Sequence, residues 1–314
     1  MIDPVALGAP LYIPADHPHL EAIMHGRRLP AVRSLIVCTE DALAAWAVEP
    51  ALARLRRLLP TLQPSSCLRF VRVRHSDVLH RLLEMPGVEH LSGFVLPKCT
   101  LEDVPRYGAL LASTAFWVMP IIETRCAFEA APLYALRDAL LQGPLAKHLL
   151  LVRIGANDLL ALLGLRRPRG LTIHETTLGT VIQRIVHLFV PAGCAVAAPV
   201  FDHLDDTRTL RREVRQDIAQ GLLGKAAIHP QQITLIEDGY RVTPQELEQA
   251  QRIVADGAPA VFQLHGSLCE PATHQPWAQR ILRRAALYGV AHHEAADTPQ
   301  PRSGMVYRLA GGDE

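Results

Sequence analysis

The sequence lacks the features that mark several large classes of protein. None of its six cysteines (Cys38, Cys67, Cys99, Cys126, Cys194 and Cys269) stands in a C-x-x-C pair or at a regular spacing. That argues against a disulfide framework and leaves small apolar side chains or reduced thiols. No uninterrupted apolar run approaches the roughly 18 residues that a membrane helix needs. The start, MIDPVALGAPLYIPADHP, has no basic segment followed by a long apolar one. The expectation is a soluble, unexported, cytoplasmic protein with no membrane partner. An excess of charge of one sign is missing too: 32 basic against 31 acidic residues leave +1, so nothing attracts nucleic acid broadly. The 15 histidines show no H-E-x-x-H or other zinc spacing, and there is no internal repeat.

What the chain has is alternation. Hydrophobic residues make up 49% of its 314 and charged ones 20%, enough for a sizeable core in one barrel with a tail or in two domains. Short β-type apolar runs, each followed by a longer helical pattern, argue for parallel strands joined by crossover helices. Eight such runs begin near Ala9 (APLYIP), Val32 (VRSLIVCT), Cys67 (CLRFVRV), Ser92 (SGFVLP), Ala115 (AFWVMPII), His148 (HLLLVRIG), Cys194 (CAVAAPV) and Lys225 (KAAIHP). That count, with no G-x-G-x-x-G turn after the first run, favours a closed TIM-type (β/α)8 barrel over an open doubly wound sheet. Stretches such as TTLGTVIQRIVHLFV carry amphipathic spacing, with Asp41 and Thr176 as expected N-caps. LRRPRG, between Asp158 and Cys194, is expected to be an inserted loop serving as a lid. A helix from about Thr243, a hairpin-like segment, a further helix and a polar tail (AADTPQPRSGMVYRLAGGDE) should follow. The expected division is a barrel over residues 1–260 and a C-terminal helical extension over 261–314.

In such a barrel the reacting groups stand where strands end. Those ends offer Asp16 and His17, Glu40 and Asp41, Arg72 and Arg74, Lys98, Glu123, Asn157 and Asp158, Pro199, and His229. Glu123 and Asp158 lie on neighbouring strand ends and can each give an oxygen to Mg2+, which takes one or two carboxylates and completes its octahedron with substrate and water. Such an ion polarises a 2-oxo acid carbonyl and stabilises an enolate. Arg72 suits a bidentate grip on a substrate carboxylate. The backbone N–H groups of Gly155, Ala156 and Asn157 can orient an anionic group beside the metal acids. Each acid also has a plainer reading as a helix cap or surface ion-pair partner. Cys38 has no identifiable His or Asn partner, so a small core residue is expected there. His229, before a proline, is expected to shape its loop.

These residues resemble a known family. APLYIPADHP, LIVCTEDAL, RFVRVR, FVLPK, MPIIET, RIGAND and KAAIHPQQI resemble, in the same order over residues 9 to 235, the strand-end elements of citrate lyase β-subunits and HpcH/HpaI aldolases. The resemblance implies a Mg2+-dependent carbon–carbon lyase of the Claisen or aldol type acting on a 2-oxo acid or 3-hydroxyacyl (acyl-CoA) substrate, assembled as a homotrimer or hexamer. On this implication Glu123 and Asp158 bind the metal and Arg72 holds the acid fragment. Glu40 and Asp41 hydrogen-bond to waters on the ion, and Lys98 supports the site electrostatically. The sequence departs from the family at Cys38, where an Asp is usual, at Arg74, where an Asn is usual, and at His17, which takes the place of a basic residue that in relatives lies near the CoA nucleotide. Glu270 stands where relatives place an Asp that completes a neighbouring subunit's site. Thioester hydrolysis on the same site, or a barrel retained as a weakly active subunit of a larger complex, are the competing functions.

Overall fold

The computed structural model describes residues 2–291; the polar tail expected from residue 295 lies outside them. Seven strands pair in parallel in sequence order: β1 Leu11–Pro14, β2 Ser34–Cys38, β3 Leu68–Arg72, β4 Gly93–Leu96, β5 Trp117–Ile122, β6 Val152–Ile154 and β7 Val196–Ala197. Helices cross between them, as the alternation predicts. The eighth run, KAAIHP, forms no regular strand. It nevertheless bridges both edges: Lys225 pairs with Ala198 and Ala227 with Leu11, both in parallel. The Leu223 N–H donates to the Val196 carbonyl and the Tyr12 N–H to Ala227, each at 2.8 Å. This short segment closes the sheet, and Pro230, the first residue of the next helix, ends it.

Strand side chains alternate between two packed layers. Ile36, Phe70, Val95, Met119, Ile121 and Ala197 form one cluster inside the closed sheet. Val37, Val71, Phe94, Val118 and Val152 join the larger cluster under the helices. The helix Leu178–Phe189 shows how the sequence produces this: Leu178, Val181, Ile182, Ile185, Val186 and Phe189 are all buried, a stripe at helical spacing turned to the strands.

Three local expectations change. Asp41 caps no helix; a 3-10 turn at Ala45–Ala47 intervenes before the helix Val48–Leu58, and the Asp41 carboxylate is held by Lys98 and Arg72. Thr177, not Thr176, occupies the cap position of Leu178–Phe189, although the Thr176 hydroxyl accepts the Leu178 N–H at 3.3 Å. The LRRPRG segment is anchored and is no free lid. Arg167, wholly buried, donates to Glu213 and to the Val200 carbonyl at 2.6 Å each.

The described residues divide into two compact units, one running to Arg241 and taking in Ala286–Tyr288, the other of Val242–Ala285 with residues 289–291. The helix Pro244–Val254, expected with the barrel, therefore lies in the second unit, opened by a Thr243–Glu246 capping box. The predicted hairpin is there as β8 Phe262–Leu264 and β9 Ser267–Cys269. Its two-residue turn, His265-Gly266, has positive φ at both positions (51° and 76°), which matches the twist of paired strands. Among the described residues no helix is long and apolar enough to cross a membrane.

Candidate active site

The C-terminal rim brings six of the predicted residues together. Arg72 ends β3, in register with Cys38 on β2 and Val95 on β4. Its Nη2 lies 2.6 Å from Glu40 Oε2, 3.2 Å from Asp41 Oδ2 and 3.4 Å from Glu123 Oε1. The Lys98 ammonium contacts Glu40 Oε1 at 2.5 Å, Asp41 Oδ1 at 3.1 Å and Asp158 Oδ1 at 3.5 Å. Lys98 has a left-handed backbone, with φ of 47°, a conformation that costs an L-residue about 1–2 kcal/mol. Its backbone N–H donates to Glu123 Oε1 at 2.8 Å, and the side chain spans Glu40, Asp41 and Asp158. Gly155 is fixed by space: a Cβ there would collide with the Glu123 carboxylate.

Two cations thus face four carboxylates, Glu40, Asp41, Glu123 and Asp158. If all are ionised the cluster carries two uncompensated negative charges. Glu123 registers the imbalance. Burial lifts its carboxyl to about 7, Asp158 pushes the same way, and Arg72 and the Lys98 N–H only partly oppose them. Burial and the shared hydrogen bond with Asp41 raise Glu40. Burial also works to raise Asp41, but hydrogen bonds from Glu40 and Lys98, with the Arg72 charge, bring it below the usual range. Burial opposes the charges of Arg72 and Lys98, yet the acids around them hold both more firmly protonated than usual.

A cavity of about 320 Å³ opens beside this cluster, lined among others by Arg72, Glu123, Asp158 and the Gly155-Ala156-Asn157 turn. The Asn157 amide donates to Asp202 Oδ1 at 3.1 Å. Asp202, Tyr12 and Arg153 also line the cavity, and strand-end reasoning did not name them. Asp202 lies three residues past the Pro199 at which the seventh strand was taken to end. Arg153 and Tyr12 are inside strands, where the only signal is a polar side chain in an apolar run. Other candidates take quieter positions. Cys38 lines the cavity with its thiol pushed up by burial. Arg74 turns away and donates to the Leu43 carbonyl at 3.3 Å. His17 accepts the His19 N–H, and His229 caps the helix Pro230–Gly239 by accepting the Gln231 N–H. Glu270 precedes the helix starting at Pro271 and accepts from the Thr273 hydroxyl.

Among the described residues no three His, Cys, Asp or Glu side chains form a ready cage for a metal. Two buried or half-buried carboxylates, in a cluster where four acids face two cations, fit a hard divalent ion that takes few protein ligands and fills its shell with substrate and water oxygens. Glu123 and Asp158 are the pair that would hold it.

A closed parallel barrel whose rim gathers acids and cations around a cavity has the arrangement in which this architecture places an enzyme's active site. The chain belongs to the C–C bond lyases of the TIM-barrel fold, whose family model matches residues 1–290. It is similar to a (3S)-malyl-CoA thioesterase of Cereibacter sphaeroides, 27% identical over 251 residues, which are 78% of this chain and 81% of that one. Among solved structures it is similar to the CitE protein of Mycobacterium tuberculosis, in complex with magnesium, acetoacetate and coenzyme A. The TM-score is 0.68 at 23% identity, over 90% of this chain and 99% of that one. RipC of Yersinia pestis matches with a TM-score of 0.60 at 20% identity, over 78% and 99% of the two chains.

Proposed function

We propose that this chain is a Mg2+-dependent carbon–carbon bond lyase of the Claisen or aldol type. Its substrate is a 2-oxo acid or a 3-hydroxyacyl unit, carried as the free acid or the CoA thioester. The enzyme would work in the cytoplasm as a homotrimer or hexamer. The observation that supports the reading is a cluster of four carboxylates against two cations, with Glu123 and Asp158 lining one cavity. A divalent ion bound there supplies a Lewis acid for the negative charge that develops on the substrate carbonyl oxygen.

The chain's own residues do the rest. Glu123 is held in place by the Lys98 N–H and by the lack of a side chain at Gly155. Arg72 presents a guanidinium to the substrate carboxylate, with its orientation fixed by Glu40 and Asp41. The Glu40–Asp41 pair, clamped by Lys98, offers hydrogen-bond acceptors to water beside the cavity. The turn at Gly155, Ala156 and Asn157 orients the bound anion through its backbone N–H groups.

Titration calorimetry with Mg2+ and, in turn, oxaloacetate, pyruvate and glyoxylate tests this. Binding of at least one acid should require Mg2+ and disappear in Glu123→Gln and Asp158→Asn. A wild-type chain that binds neither the ion nor any acid would rule the reading out. A second reading, hydrolysis of the thioester on the same site, is supported by the thioesterase relative. Product analysis separates them: a lyase releases an aldehyde or 2-oxo acid fragment, and a thioesterase releases the intact hydroxy acid with free thiol.

A further inference from the structure

Among the described residues, Arg153 is a buried cation without a counter-ion. It lies in β6 between Ile121 of β5 and Ala197 of β7, two members of the cluster inside the sheet. The residue is 3% exposed. Its Nη1 donates to the Met119 sulfur at 3.9 Å, and its guanidinium carbon stands 5.6 Å from the centre of the Tyr12 ring. Neither neighbour carries a negative charge, and no carboxylate lies within 4.0 Å of its nitrogens among the described residues. Elsewhere in the same unit the buried Arg167 and Lys225 have carboxylates at 2.6 and 2.7 Å. A guanidinium stays charged at any working pH, and leaving it sealed in an apolar layer without an anion is costly. Yet Arg153 lines the cavity that Glu123, Asp158 and Arg72 share. The missing anion has a way in.

We propose that Arg153 is a specificity-determining residue that binds a second carboxylate of the substrate, so that the enzyme takes a dicarboxylic acid. One end of the acid meets Arg72 and the Glu123–Asp158 pair. The other reaches the inner wall, where the planar guanidinium offers two parallel N–H donors to a carboxylate. Met119 and Tyr12 flank it without competing for the charge. This rests on the proposed metal reading for the near end of the acid, but the far end is an independent feature of this chain. The cavity, about 320 Å³, is large enough for a four- or five-carbon diacid.

Oxaloacetate and pyruvate share the same 2-oxo acid end and differ in the second carboxylate, which makes them the probe pair. Both are titrated with Mg2+ into wild type, Arg153→Met and Arg153→Lys. Wild type should prefer oxaloacetate by about tenfold or more, the effect of a charged hydrogen-bonded pair. Arg153→Met should lose the preference and still bind pyruvate in a Mg2+-dependent way, and Arg153→Lys should keep part of it. Ligand-free Arg153→Met should also melt no lower than wild type, because it removes an unpaired buried charge. A preference retained in Arg153→Met, or a melting temperature well below wild type, overturns the proposal. Mg2+-dependent pyruvate binding without a preference for oxaloacetate overturns it while leaving the metal reading intact. Wild type that binds neither acid overturns both.

Discussion

At the scale of single residues, Glu123 links the site's charge to pH. Its carboxyl titrates near 7 in the fold against 4.5 in an ordinary setting, so between those values the folded chain keeps a proton that the unfolded chain has lost. Without metal, its contribution therefore makes folding less favourable as pH rises from about 4.5 to 7. Metal binding requires the carboxylate, so affinity runs the other way, weakening by about tenfold per pH unit below 7 and levelling above it. Mg2+ titrations at pH 6, 7 and 8 check this, and a flat profile would remove Glu123 from the ligand set. Gly155→Ala probes the same carboxylate from behind. The added methyl must displace Glu123, which should cost roughly 1–3 kcal/mol in a urea melt and weaken Mg2+ binding. Unchanged Mg2+ affinity would mean that the turn does not hold the acid in place. The rim residues were legible in the sequence because a polar residue terminating an apolar run marks a strand end. Arg153 and Tyr12 were not, since a side chain within a strand reveals the layer it enters only once the register is known.

Among the elements, seven of the eight apolar runs located strands to within a few residues, because burial on both faces forces continuous hydrophobicity in a parallel sheet. Pairing was less legible. The eighth run makes only two bridges, and its charged first residue, Lys225, is wholly buried against Glu213 at 2.7 Å and Asp217 at 2.9 Å on the helix Thr207–Ala219. Those acids lie 12 and 8 residues earlier in the chain, and on a helix they read as surface charge. Arg167 and His174 complete the cluster. Lys225→Met would leave the two carboxylates without their shared cation and should destabilise the fold by about 3–5 kcal/mol. Below its melting temperature, Mg2+-dependent binding should survive. A loss under 1 kcal/mol in chemical denaturation would show that Arg167 and His174 suffice.

For the molecule as a whole, binding energy at the rim must appear as stability. With Mg2+ held constant and saturating, acid at about a hundred times its dissociation constant adds about 2.7 kcal/mol to the stability of the folded state, a rise of about 5 °C in melting temperature for a chain of this size. Calorimetry should find that rise in wild type and not in Glu123→Gln; an equal rise in both would place the ligand elsewhere. The barrel is completed only where Ala227 pairs with Leu11. A ribosome making about 5–20 residues per second therefore holds β1 with an unpaired outer edge for about ten seconds or more after it emerges. Through that interval the edge is open to strands of other nascent chains, until the segment from Lys225 emerges and seals it. Silent codon changes that slow the segment between β7 and Lys225 would lengthen this exposure and lower the soluble yield of a protein whose finished sequence is unaltered.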